Sequence, residues 1–369
     1  MNSATRLLRA LLARGAYLES LTRAELRAIL PILERAHEEV LGKIAKTGGA
    51  WTREWLTEMA GDLEAIYKAA CAEAWVTVSA DLEELAKNEG AWALGEIGQA
   101  TIGISLSTPA PSLLKAVVNL PTNIGGSTLE HQFEALGIES KKAAYEAIQQ
   151  GMLAGDTVDE MTRRLRGEVK KRAIWRRDSD GVRRYHPGVY EGGVIEGVST
   201  RGAERVARTA IMHVSNQARE ITYAANEDIS KGYQYVATLD TNTCLVCAND
   251  DGRVFGLRDP RPVLPRHIGD RCLYVPVLKS WRELGIDADE LPEGTRASMD
   301  GQVAESETFA DRLTKASAER QVAMLRSPTK ARLYREGMPL SEMVEDGHEV
   351  PVKVLLERAA ERRKKGRAA

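Results

Sequence analysis

The residues best suited to chemistry are Cys244, Cys247, His267 and Cys272. Two thiols spaced C-x-x-C on a tight turn can point at one ion, and a His and a Cys from a second turn can complete a tetrahedron. Zinc suits such sulfur and nitrogen donors and brings no redox chemistry. Four protein ligands leave no open coordination position, so a filled site of this kind is structural and holds one zinc ion. The same residues fit a metal-free reading, in which the cysteines are small buried hydrophobes in a turn and His267 is hydrogen-bonded nearby.

Three enzymatic readings compete for these positions. A zinc deaminase needs H-x-E ahead of P-C-x-x-C, and both the Glu and the Pro are missing. A thioredoxin-like dithiol belongs at a helix start after a strand, and the neighbouring Asp250 and Asp251 would raise a thiol pKa and oppose reactivity. A treble-clef nuclease with His267 as general base is the strongest rival, because Arg266 and Arg271 flank that His. No second His or Asn stands where it would hold a catalytic cation. The expectation is therefore a protein without catalytic residues, with a DNA-acting nuclease as the alternative.

A second chemical feature is charge. Arg163, Arg164, Arg166, Lys170, Lys171, Arg172, Arg176, Arg177, Arg183 and Arg184 crowd one stretch together with Trp175 and Tyr185, and the chain ends in Arg362, Arg363, Lys364 and Lys365. Cations interleaved with aromatics can contact the phosphates of a nucleic acid. They are also what a solvated hairpin and a disordered basic end look like. The whole chain is not basic: its formal net charge is −2, so any nucleic-acid contact must be local.

The elements that carry these residues read as mainly α with a small α+β module. Residues 1–100 form a helical region. Thr22 and Glu25 have capping-box spacing ahead of Leu26, Ile29, Leu30, Leu33, Val40, Leu41 and Ile44. A second helix follows Gly48 and Gly49, and Ser79 or Asp81 is placed to cap a third. Residues 101–139 hold three prolines among Gly, Ser and Thr and read as a loop-rich connector. In residues 140–280, helix resumes over 140–152, and Thr157 with Glu160 caps another. A hairpin turns at Asp180-Gly181, a long helix runs from Thr200 to about Asn226, and strands cover 233–239 and 273–277 around the Cys/His module. Residues 281–369 are helical and end in the basic tail.

The bulk numbers agree with this reading. The chain is 369 residues long, 43% hydrophobic and 28% charged, enough apolar material for more than one folding unit. Aromatics are only 5%, which favours helix over sheet. No apolar run of about 18 residues is present to span a membrane. The start of the chain carries Arg6, Arg9 and Arg14 with no acid before Glu19, and reads as an amphipathic helix more than as a transit peptide. Four cysteines, three of them in one short segment, point to a reducing cytoplasm.

One family has this constellation. A strand, then Asp240-x-x-Thr243-Cys244-x-x-Cys247, then Asp251-Gly252-Arg253-Val254-Phe255, then Pro265-x-His267-x-x-Asp270-Arg271-Cys272, resembles the Mu F-like minor head proteins of bacteriophages. The flanking Gly155-Asp156-Thr157 and Ala207-Arg208-Thr209-Ala210, with Asn216 beyond, resemble the family's helices, and the likeness extends over about residues 140–350. Two positions depart from the pattern: Asp270 stands where the family commonly has a Cys, and Ala210 replaces an acid. Asp270 is accordingly a substitute candidate for the fourth metal ligand. The resemblance implies a minor capsid protein in the phage head near the portal vertex, made in the host cytoplasm. It further implies contact with portal protein, major capsid protein and DNA, a part in head assembly or in DNA packaging or ejection, and no membrane partner.

Overall fold

The computed structural model describes residues 3–101, 103–171, 174–177, 181–186, 189–287 and 294–368. Side chains are described for all of these except 3–5, 169, 171, 186, 189–192, 196 and 364–368.

Two long helices open the chain, α1 (Ser3–Ala45) and α2 (Arg53–Ala100). The expected helix start at Thr22 does not occur. Thr22 is buried inside α1, and its hydroxyl donates to the Leu18 carbonyl one turn back. Nor does a third helix begin at Ser79, whose hydroxyl donates to Val76 O within α2. In α2 the buried positions Leu63, Tyr67, Ala70, Ala74, Val78, Leu82, Leu85, Ala93 and Ile97 keep helical period past both candidate caps. Burying that continuous stripe outweighs a local cap. Where the break after Gly48-Gly49 is real, Thr52 caps α2 by accepting the Trp55 N–H.

The connector holds a short helix, α3 (Pro111–Ala116), and α4 (Leu129–Ala154) begins well ahead of residue 140, capped by Thr128. Gly137 lies inside α4, in the part of the chain read as connector. A Cβ there would lie 3.1 Å from Tyr67 O and 3.3 Å from Cys71 Sγ, so glycine lets α4 close against α2. The capping box of Thr157 and Glu160 forms as expected and starts α5 (Val158–Arg166).

Next come β1 (Gly167–Lys171), β2 (Ile174–Arg177), β3 (Arg183–His186) and β4 (Val189–Gly192), with β1 paired to β4 and β2 to β3, both antiparallel. The expected turn residue Asp180 lies outside the described residues. The helix α6 (Val194–Ala224) then crosses α1, α2 and α4, and these four share one apolar core that includes Leu33, Leu63, Tyr67, Phe133, Ile148, Ala207 and Ile211.

The α+β module follows. Strand β5 (Ser230–Val236) is the centre of a three-stranded antiparallel sheet, flanked by β6 (Val254–Gly256) and β7 (Leu273–Leu278), with α7 (Leu245–Asp250) between β5 and β6. The strand ends at Val236 and not at Leu239, because the Ala237 N–H is turned onto Asp251 Oδ1 at 2.8 Å. Leu7, Leu8 and Leu11 of α1 pack on Val236, Leu273 and Val275, so the start of the chain covers part of this sheet.

Beyond it lie β8 (Thr295–Ser298) paired with β9 (Gly301–Ala304), α8 (Phe309–Lys315), α9 (Ala318–Leu325), α10 (Pro328–Arg335), β10 (Val344–Glu345) paired with β11 (His348–Glu349), and α11 (Val352–Ala368). Phe309, Leu313, Met324, Leu333 and Met343 form a separate core that takes in Leu239, Leu245 and Ala248 of the module. The fold is mainly α with a small α+β module, and the module sits between two helical cores. Among the described residues no helix is long and apolar enough to cross a membrane.

Candidate metal centre and basic surface

The turn between β5 and α7 is built by its own side chains. Thr243 Oγ1 donates to Thr238 O, and Asp240 accepts the Asn242 N–H at 2.8 Å. Arg271 clamps Asp240 from the far side with two bonds, at 2.6 and 2.9 Å, the bidentate pairing that fixes planar groups most firmly. This places Cys244 as the N-cap of α7, where its sulfur accepts the Cys247 N–H at 3.4 Å.

His267 arrives on the loop after the cis Leu264–Pro265 bond. Its Nε2 lies 3.2 Å from Cys244 Sγ and 3.5 Å from Cys247 Sγ, and its Nδ1 donates to Ile268 O at 3.0 Å. Asp270 holds the same loop by accepting the Arg266 N–H at 2.7 Å and the Cys272 N–H at 2.9 Å. From the sheet, the Tyr235 hydroxyl donates to Cys247 Sγ at 3.2 Å.

The four expected ligands come together as two overlapping triads that share Cys247. One is Cys244, Cys247 and His267; the other is Cys247, Asp270 and Cys272. With zinc–sulfur bonds of about 2.3 Å and zinc–nitrogen bonds of about 2.0–2.1 Å, a tetrahedral site has sulfur–nitrogen edges of roughly 3.6 Å. The two edges at His267 are close to that, and the Nδ1 bond to a carbonyl is the outer contact that orients a ligating imidazole. The first triad therefore fits a thiophilic metal, and a zinc ion there would cross-link α7 to the loop before β7. Cys272, or Asp270 beside it, is positioned on the Cys247 side.

The electrostatics of the knot are polarised. A hydrogen bond from Cys247, reinforced by His267, draws the Cys244 thiol down to about 4, and the Cys244 and then Cys247 sulfurs push His267 up to about 11. Cys247 is pushed up by its hydrogen bond to Cys244, and Cys272 by burial. Both shifts favour the charged forms of Cys244 and His267, and a metal ion bound there would displace the proton between them. The neighbouring acids Asp250 and Asp251 are each paired with an arginine. Asp250 takes Arg266 at 2.6 Å, and Asp251 takes Arg296 at 3.2 Å. Arg266 and Arg271, which flank His267 in sequence, are thus each paired with an aspartate. Sequence reasoning missed Tyr235 and Arg296. Tyr235 sits on the read strand with nothing to mark its hydroxyl, and Arg296 comes from a segment with no motif.

The basic residues divide into tethers and exposed groups. Arg164 pairs with Asp156 at 2.7 Å, while Arg166 binds Glu34 at 3.2 Å and Glu38 at 2.5 Å, tying α5 to α1. Arg163 is exposed, and Lys170 lies 3.7 Å from Glu168. In the β2–β3 hairpin Arg176 stands opposite Arg184 and Arg177 opposite Arg183, while Trp175 and Tyr185 face each other with ring centroids 5.5 Å apart. Arg176, Arg177 and Arg183 are exposed, and Trp175 is 52% exposed. Arg172 lies outside the described residues, as do the side chains of Lys171, Lys364 and Lys365. The basic end of the chain is helical, in line with the helical reading of residues 281–369, and not a disordered end. Arg362 pairs with Glu342, and Arg363 pairs with Glu336 at 2.5 Å, so α11 folds back on the α10 region.

Residues 142–275 match the family described as Phage Mu protein F like protein. The match runs from within α4 to within β7 and includes the β2–β3 hairpin and all of Cys244, Cys247, His267 and Cys272. It leaves out α1, α2 and the helices after β7, although the resemblance read from sequence ran on to about residue 350. No curated protein and no solved structure matches the chain. Over the segment 142–275, this chain is similar to the Mu F-like phage proteins.

Proposed function

We propose that the chain is a minor structural protein of a bacteriophage head, a non-enzymatic component of the virion near the portal vertex. In this reading it contacts the portal protein and the major capsid protein and assists head assembly or the packaging and ejection of double-stranded DNA. One structural zinc ion on Cys244, Cys247 and His267, with Cys272 as fourth ligand and Asp270 as its substitute, ties the α+β module. The exposed hairpin cations Arg176, Arg177 and Arg183 face the DNA.

One observation carries the reading: the family segment ends on a knot whose histidine has both ring nitrogens engaged. A nuclease would need His267 as a free general base within reach of a substrate proton. Here Nε2 faces two sulfurs and Nδ1 a carbonyl, which supports a structural role over the nuclease alternative. The test is mass spectrometry of purified particles of the phage that encodes the chain, with cross-linking. A few copies per head, cross-linked to portal, are expected. Absence from particles would overturn the proposal.

A further inference from the structure

An open groove of about 460 Å³ runs between α2 and α4, all of it ahead of residue 142 and so outside the segment that matches the Mu F-like family. The two helices are antiparallel here. Glu64 pairs with Lys141, Gly137 abuts Tyr67 and Cys71, and Trp75 meets Phe133 with ring centroids 5.7 Å apart. The small residues Cys71, Ala72 and Gly137 line its middle, where the backbones approach closely. Larger apolar side chains stand beside them: Val76 is 70% exposed, Ile138 is 65% exposed, and Trp75 is half-buried. Single exposed apolar residues are ordinary, but several gathered on one concave face mark a surface that another molecule covers.

The charges on the groove are sorted by end. At one end Glu64 is held by Lys141 at 2.5 Å, and the exposed Lys68 has no ion pair among the described residues, so a positive charge is left over. At the other end stand Glu130 and Glu134, both exposed. Glu134 has only His131 beside it, at 3.1 Å, and that ring is charged only when protonated. The groove is therefore apolar along its length, positive at one end and negative at the other.

We propose that two copies of this chain associate groove to groove, reversed so that the lysine end of each meets the glutamate end of the other. A two-fold contact presents the same patch from both copies, and a patch with opposite charges at its two ends is complementary to itself once one copy is reversed. A groove of a single sign would instead call for a partner of the other sign. From Glu64 to Val76 the groove is about 18 Å long at 1.5 Å rise per residue, and two helices of about 10 Å make it roughly 20 Å wide. That face is about half of the ~800 Å² per partner in a standard stable interface, so the dimer is weak and forms with rising concentration. The inference does not rest on the head-protein reading or on zinc.

Sedimentation velocity of the full chain, from micromolar to submillimolar concentration, tests it. The sedimentation coefficient should rise reversibly from the monomer to the dimer value. Val76→Asp with Ile138→Asp should hold it at the monomer value throughout. Lys68→Glu with Lys141→Glu makes both ends acidic, and Glu130→Lys with Glu134→Lys makes both ends basic. Each of these chains alone should lose at least about tenfold in self-affinity, since like charges then meet. Mixed in equal amounts they should form a heterodimer, because opposite charges meet at both ends. All six side chains reach solvent, so the variants should melt close to the parent. A parent that stays monomeric, a Val76 and Ile138 variant that still dimerises, or a mixture no better associated than its separate chains would each overturn the proposal.

Discussion

Asp251 and Arg296 form a buried ion pair that joins the Mu F-like segment to the chain beyond it. Asp251 Oδ1 lies 3.2 Å from Arg296 Nη2 and also accepts the Ala237 N–H at 2.8 Å. The other oxygen accepts the Phe309 N–H at 2.8 Å, and Arg296 donates to Ala237 O at 2.6 Å. One carboxylate thereby ends strand β5, receives β8 and starts α8. Removing one partner of such a pair strands a charge in the interior. Asp251→Ala should lower stability by about 3–5 kcal/mol in urea unfolding. Adding Arg296→Met should recover part of that loss, since the stranded cation goes too. A single variant as stable as the parent would contradict the assignment.

The knot at Cys244 and His267 makes a separate prediction. Protein purified without chelator should carry about one zinc per chain by mass spectrometry, as expected of a closed sulfur–nitrogen site. A chelator, or the Cys244→Ser, Cys247→Ser pair, should remove the metal and lower the melting temperature together. His267→Ala should do the same, at a cost of at least ~2 kcal/mol, because metal binding to such a site is folding free energy. Well-folded parent protein without metal would sink the zinc assignment while leaving the likeness over residues 142–275 untouched.

How much of this could be read from sequence follows the range of the interactions. The Thr157–Glu160 capping box spans three residues, needs no partner from elsewhere, and forms as written. The C-x-x-C turn and its His were legible for the same reason, since local spacing carries most of their geometry. Thr22 failed as a cap because its role is decided by α2, not by its neighbours: the apolar stripe on both sides of it is buried. The early start of α4, ahead of residue 140, was hidden for a like reason, since Gly137 is used against Tyr67, far away in the chain. Arg296 and Tyr235 belong to the same class, being side chains whose partners are fixed only when the sheet closes.

The β2–β3 hairpin should bind DNA through Arg176, Arg177 and Arg183. Replacing all three by Glu should weaken double-stranded DNA binding and lower the slope of log affinity against log salt by about 2–3, the counterions released by three phosphate contacts. Folding should hold, because the three side chains are exposed and the Trp175–Tyr185 contact remains. An unchanged slope would remove the hairpin from the DNA surface and leave it a solvated edge.

Glu25 gives the fold a pH dependence. It is buried within α1, its Oε2 has no hydrogen-bond partner, and burial, with Asp81 nearby, raises its carboxyl from 4.5 to about 7. The folded state therefore binds this proton more tightly than the unfolded chain does. Below the unfolded value of 4.5 the group is neutral in both states and costs nothing. As pH rises through the window up to about 7, the unfolded chain loses the proton first and stability falls. Above that window the full penalty of roughly 3 kcal/mol applies, from about 1.4 kcal/mol per pKa unit. Glu25→Gln keeps the shape and removes the charge. Urea unfolding should therefore find the variant more stable than the parent at pH 8 and similar to it near pH 4.5, with the difference growing between the two. Equal stability at pH 8 would mean that the Glu25 carboxylate finds a partner when it ionises.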